Sequence, residues 1–137
     1  MVEPGELGRL RILLAEDNLT NRLLAVKMLE RLGCRADTAL NGLEVLHAVE
    51  AARFDIILMD CLMPEMDGYE TTRRLRERER NGAPKVHIIA MTANAMREDR
   101  ERCLAAGMDD YLAKPVRREE LRSALVRAYE AVTANPE

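Results

Sequence analysis

Short, unbroken apolar runs separated by segments of helical spacing constrain this chain more than any other feature. Five strand-length segments stand out: Arg11 to Ala15 (RILLA), Cys34 to Ala39 (CRADTA), Ile56 to Met59 (IILM), His87 to Met91 (HIIAM) and Asp110 to Leu112 (DYL). At least three of them are continuous apolar runs, the pattern of parallel strands buried on both faces. Between them the period changes. Leu24, Met28 and Leu32 repeat at i, i+4, i+8, with Asn18 ahead as an N-cap and Gly33 behind as a stop. Val45, Val49 and Ala52 repeat after the cap-like Asn41-Gly42, and Leu121, Leu125, Ala128 and Val132 mark a last helix. Five strand–helix units in strict alternation predict an α/β domain of three layers, with a mostly parallel sheet and right-handed crossovers.

Length agrees with this reading, because 137 residues suffice for one domain and leave little room for a second. We expect the domain over 9–131, with short flexible tails at 1–8 and 132–137. Apolar residues make up 47% and charged residues 33%, too apolar for a disordered chain. No apolar run exceeds four residues, so no membrane span is expected, and Met1 to Leu14 is too charged for a signal peptide. A cytoplasmic chain, or the cytoplasmic portion of a membrane-bound protein, follows as the expectation.

With 21 basic and 24 acidic residues the net charge is −3, which gives no whole-molecule attraction to nucleic acid or an anionic membrane. Cys34, Cys61 and Cys103 form no CxxC pair and read as free thiols in a reducing compartment. His47 and His87 read as surface or boundary residues. Two stretches are dense in charge. Arg73 to Arg80 (RRLRERER) reads as a solvated helix face. Arg97 to Arg102 (REDRER) leaves its helix mainly Met96, Cys103 and Leu104 as anchors, so that helix should dock weakly.

In an open parallel sheet, ligands bind outside the carboxyl ends of the strands. There the chain places Glu16-Asp17 after the first strand, Asp60 after the third, Thr92 after the fourth and Lys114-Pro115 after the fifth. Crowded carboxylates raise one another's pKa unless a cation neutralises them, and oxygen-only ligands favour a hard ion such as Mg2+. Mg2+ keeps waters and pairs one or two carboxylates with a phosphoryl oxygen, so phosphate chemistry follows from the acids. A Lys and a Thr nearby supply charge and a hydroxyl for the remaining phosphoryl oxygens, and an Asp can itself be the nucleophile. Taken singly, these residues also read as a solvated acidic pair, a helix cap and a surface lysine.

ILLAEDN at Ile12 to Asn18, IILMDCLMPEMDG at Ile56 to Gly68, IIAMTANA at Ile88 to Ala95 and YLAKP at Tyr111 to Pro115 resemble the receiver domain of two-component response regulators, in phrasing nearest to receivers of hybrid histidine kinases. The resemblance covers Arg9 to Tyr129. It implies a flavodoxin-like (βα)5 domain whose parallel five-stranded sheet has order 2-1-3-4-5, the arrangement with a known switch-point site. It further implies Asp60 as phosphoacceptor, with Glu16, Asp17, Asp60 and the backbone carbonyl of Leu62 as Mg2+ ligands. Thr92 and Lys114 would bind the phosphoryl oxygens, Thr92 and Tyr111 would switch, and Lys114-Pro115 would be a cis peptide. Leu62 and Asn94 fall where the family tunes dephosphorylation; an apolar Leu62 is expected to hinder water and slow loss of phosphate. Asp67-Gly68 reads as the turn that enters the next helix.

The implied partners are a histidine kinase or phosphotransfer protein as donor. A downstream protein or domain would be contacted through the face of the helix after Thr92, the fifth strand and the last helix. No effector segment follows Tyr129, so output by contact is the expectation, and the domain is expected to be a signalling switch, not an enzyme acting on an external substrate. Two other classes share part of this pattern. A haloacid-dehalogenase-type phosphohydrolase needs a second Asp two residues after the first, where this chain has Leu62. A phosphorylation-independent pseudo-receiver usually lacks an acid or the Lys, and none is missing here.

Overall fold

The computed structural model describes residues 4–93 and 96–134. Five parallel strands, β1 (Ile12–Ala15), β2 (Ala36–Ala39), β3 (Ile56–Asp60), β4 (His87–Thr92) and β5 (Asp110–Ala113), form one sheet in the order β2-β1-β3-β4-β5. Six helices accompany them: α1 (Pro4–Leu7), α2 (Leu19–Arg31), α3 (Gly42–Ala51), α4 (Gly68–Arg80), α5 (Arg97–Ala106) and α6 (Arg118–Ala134). The α/β architecture is the one the sequence pattern predicts, and the strand order is the one the family resemblance implies.

The apolar runs are buried on both sides because their side chains alternate. Leu13, Ala15, Ile57, Met59, Ile88 and Ala90 pack toward α3, α4 and α5. Ile12, Leu14, Ile56, Leu58, Ile89 and Met91 pack toward α1, α2 and α6. Caps set where the helices begin: Asn18, Asn41 and Asp67 each accept a hydrogen bond from the backbone N–H three residues on. Gly68 has no substitute, since a Cβ there would overlap the carbonyl oxygen of Asp60. That close approach holds the start of α4 against the end of β3.

Three local expectations need correction. The helical turn α1 lies inside the segment expected as a tail, and its Leu7 is fully buried against the α2 and α6 side of the sheet, while α6 runs on to Ala134. In α2 the buried residue is Leu29, with Ala25, Met28 and Leu32 half-buried beside it, and Leu24 faces solvent. At 100° per residue Leu24 lies off the face that Ala25, Met28, Leu29 and Leu32 share. In α5 the buried residues are Cys103 and Ala106, a pair on one face, whereas Met96 and Leu104 are exposed.

α5 is thus held by two small side chains, and its N-cap, Met96, makes no side-chain capping bond. Elements with so little buried surface open most readily. Amide exchange across Arg97–Arg102 is therefore expected to outpace that in α2 and α6; equal protection in the three helices would contradict weak docking.

Candidate functional site

Level strand ends build the site. The register pairs Ala15 with Met59, Asp60 with Met91 and Thr92 with Ala113, so Glu16, Asp60, Thr92 and Lys114 emerge along one carboxyl edge. One carboxylate oxygen from each of Glu16, Asp17 and Asp60 lies within 4.8 Å of the others. Glu16 and Asp60 are buried, at 2% and 5% exposure, and Asp17 is exposed. Lys114 Nζ bridges the two buried acids, 3.0 Å from Glu16 Oε1 and 2.9 Å from Asp60 Oδ2.

Backbone groups hold these side chains in place. The Asn18 amide donates to Glu16 Oε2 at 3.2 Å, and the Leu62 amide donates to Asp60 Oδ1 at 3.3 Å. Arg22 Nη1 donates to the carbonyl oxygen of Glu16 at 3.0 Å, tying α2 to the acidic turn. The Lys114 amide donates to the Thr92 carbonyl at 2.8 Å, so β5 delivers the lysine beside the buried Thr92. The Lys114-Pro115 peptide is cis, as the family resemblance implies.

Burial, reinforced by a hydrogen bond with Glu16, pushes the Asp60 carboxyl up to about 6, and Lys114 offsets this only in part. Burial also acts to raise Glu16, but its hydrogen bonds with Asp60 and Lys114 outweigh that and hold it below the usual glutamate range. For Lys114, burial works against the charge, and the two carboxylates more than compensate, raising it. One lysine thus faces two buried acids and a third exposed one, leaving excess negative charge. An oxygen-only donor set with that excess fits a hard divalent cation.

The remaining residues singled out in the sequence lie around this cluster. Leu62, whose amide reaches Asp60, has 69% of its surface exposed. Tyr111 is half-buried on β5, its hydroxyl accepting a hydrogen bond from Arg100 Nη1 of α5 at 2.9 Å. Asn94 lies outside the described residues. What the sequence reading missed is the apolar rim: Leu19, Leu23 and Leu24 of α2 are all more than half exposed. A groove lined by Leu24, Ala25, Met28, Met91, Pro115 and Val116 runs from there to Glu16 and Lys114. Placing Leu29 on the core face of α2 would have turned Leu23 and Leu24 outward. Among the described residues no helix is long and apolar enough to cross a membrane.

The sequence pattern of the response regulator receiver domain matches residues 12–126. Hybrid signal transduction histidine kinase K of Dictyostelium discoideum is 42% identical over 125 residues, which cover 88% of this chain and 10% of that protein. The chain therefore spans about a tenth of that relative's length. Among solved structures, the receiver domain of sensor histidine kinase PA1611 from Pseudomonas aeruginosa PAO1, with a magnesium ion coordinated in its active-site cleft, is 46% identical. It superimposes with a TM-score of 0.80 over 88% of this chain and 98% of its own. The Saccharomyces cerevisiae response regulator Ssk1, whose receiver domain was solved in complex with the histidine phosphotransfer protein Ypd1, is 25% identical with a TM-score of 0.85 over 93% of both chains. The pattern covers most of the chain and the relatives share its fold, so the chain belongs to the response regulator receiver domains of two-component signalling.

Proposed function

We propose that this receiver takes a phosphoryl group from the phosphohistidine of a kinase or phosphotransfer partner onto Asp60, with Mg2+ held by Glu16, Asp17, Asp60 and the Leu62 carbonyl. The observation that carries the reading is the buried Asp60 carboxylate set between two further acids and the Lys114 ammonium at one sheet edge. Above pH 6 Asp60 is mainly ionised, the form that can attack phosphorus while the bond to the histidine nitrogen breaks. Bound Mg2+ would supply charge neutralisation to the phosphoryl oxygens. Lys114 adds a second positive charge at the same carboxylate, and the Thr92 hydroxyl offers a hydrogen bond to an oxygen of the new acyl phosphate.

The exposed Leu19, Leu23 and Leu24, with the groove beside Lys114, suit the donor protein, since an apolar rim next to a charged centre can seat a partner while leaving Asp60 accessible. Switching would then use Thr92 and Tyr111: Thr92 moves toward the phosphoryl group, Tyr111 follows, and the Arg100 contact carries the change to α5. A downstream protein or domain would read the face of α5, β5 and α6. The unit at work is 9–131 together with α1, whose Leu7 is part of the core. In this role the domain is a cytoplasmic signalling switch that catalyses its own phosphorylation from the donor and its own dephosphorylation.

Intact-mass analysis after incubation with Mg2+ and acetyl phosphate tests the reading. One phosphoryl adduct is expected, lost with a chelator and lost in Asp60→Asn. An adduct that survives either control would overturn it, and no adduct from either acetyl phosphate or a phosphorylated histidine donor would point to a pseudo-receiver. The decay of the adduct tests Leu62 in turn. Its apolar, exposed side chain two residues after Asp60 cannot hydrogen-bond an attacking water, so Leu62→Asn is expected to shorten the phosphorylated lifetime several-fold. A longer lifetime would sink that role.

A further inference from the structure

Cys61 and Cys103 belong to the two parts of the molecule whose relation a switch must change. Cys61 directly follows Asp60 at the end of β3, and Cys103 sits in α5, yet their sulfur atoms are 3.9 Å apart and both residues are buried. Alternation along the chain sends Asp60 to the acidic edge and Cys61 into the core under α4 and α5. Arg102 of α5 lies over the ring of Tyr69 at 4.0 Å, closing the cluster from outside. The phosphoryl chemistry uses neither sulfur. Cys34, the remaining cysteine, is buried against the opposite face of the sheet, its thiol directed at the Leu7 carbonyl oxygen.

We propose that Cys61 and Cys103 are an oxidisable pair that reacts with a hydroperoxide to close a disulfide pinning α5 to the Asp60 end of β3. A disulfide needs its sulfurs about 2 Å apart, so the pair must close by a further 2 Å or so. α5 can supply that movement, because Cys103 and Ala106 are its only buried residues. The same weak docking admits the oxidant: both thiols are shielded while α5 is closed and reachable when it opens. One sulfur takes an oxygen from hydrogen peroxide, releasing water and leaving a sulfenic acid. The second sulfur then displaces that oxygen as another water, forming the S–S bond. Two thiols lose two electrons and two protons between them, and the peroxide is reduced to water.

The bond leaves the Asp60 carboxylate untouched on its own side of the strand and removes the freedom of the helix that would report on it. That second consequence rests on the phosphoacceptor reading; formation of the bond does not. The test takes the full chain, treats it with hydrogen peroxide, quenches, denatures and alkylates it. The expected product is a monomer lighter by two hydrogens, with one alkylatable thiol of the original three and a cross-linked Cys61–Cys103 peptide that dithiothreitol releases. Amide exchange across Arg97–Ala106 is expected to slow about fivefold or more in the oxidised protein. Three alkylatable thiols after treatment, an intermolecular dimer, or oxygen added to a single cysteine would overturn the pair. A cross-link that leaves α5 exchange unchanged would overturn the pinning. Phosphoryl uptake by the reduced chain is scored separately, so failure of either idea is visible without the other.

Discussion

Replacing Arg76 with alanine is expected to cost about 2–3 kcal/mol of stability, the range for removing a charged donor from half-buried hydrogen-bonded partners. The guanidinium is nearly enclosed, with 14% of its side chain exposed, and joins three separate parts of the fold. Nε donates to the Gly107 carbonyl at 2.8 Å, Nη1 to Glu79 and to the Val86 carbonyl at 2.7 Å, and Nη2 to Asp109 Oδ2 at 2.6 Å. Its two acids are themselves committed: Glu79 Oε2 accepts the Val86 amide at 2.9 Å and Asp109 Oδ2 the Ile88 amide at 2.9 Å. Without Arg76 two carboxylates keep only their backbone amide donors and two carbonyls lose the guanidinium, in a half-buried pocket beside His87, whose imidazole burial already holds below its usual pKa.

Urea unfolding reads this directly, and a melting temperature lower by roughly 6–12 °C is the thermal counterpart. Arg76→Lys should recover only a fraction, because an ammonium cannot reproduce a planar fork that reaches three elements. Acceptance of phosphate per folded molecule should stay unchanged, since this network lies where β4 and β5 begin and the acidic cluster lies where they end. A loss below about 1 kcal/mol would show that solvent replaces the guanidinium freely.

Arg76 also marks the limit of what the sequence discloses. The spacing of Arg73 to Arg80 predicts a solvated face, and Arg73 and Arg74 are exposed partners of Glu70. Arg76 differs from them through contacts with Asp109 and Gly107, more than thirty positions away, which local periodicity does not encode. Leu24 and Leu7 depart from the sequence pattern for related reasons. Several apolar residues crowd α2, so the choice of buried face depends on the sheet it meets, and α1 is too short to carry a period at all. The strands were legible because burial on both faces forces unbroken apolar runs, and the helix starts were legible because Asn18, Asn41 and Asp67 cap them locally. The site was legible because the topology alone brings strand ends together: once the five strands are parallel, the residues after them must share an edge.

In the absence of divalent cation, Asp60→Asn is expected to stabilise the fold at pH 7–8 and to lose that advantage toward pH 4. Asp60, Glu16, the exposed Asp17 and the Lys114 ammonium meet there, with the Arg22 guanidinium engaged on the backbone carbonyls of Glu16 and Asp17. Asp60 has its folded pKa raised to about 6 from an ordinary 3.8, chiefly by burial and then by Glu16. A raised carboxyl favours the fold while protonated, so its contribution is fully present below about pH 4 and is lost as pH rises through 6. The full shift corresponds to about 3 kcal/mol, and solvent at the open mouth of the site reduces it to about 1–2 kcal/mol. Glu16 works in the other sense, since its folded pKa is lowered and its contribution is present above the unfolded value and lost in acid. It is present in both proteins and Lys114 stays its partner at 3.0 Å when Asp60 is gone, but its hydrogen bond with the Asp60 carboxyl is lost, so the difference between the two pH profiles reports the Asp60–Glu16 pair. Saturating Mg2+ should then raise the stability of the wild type at pH 8 by more than that of Asp60→Asn, and raise neither at pH 4, because the cation relieves a repulsion that exists only when Asp60 is ionised. Parallel pH profiles with and without Asp60 would mean that the carboxylate is already neutralised by Lys114, and that the excess negative charge assigned to this edge is not there for a cation to answer.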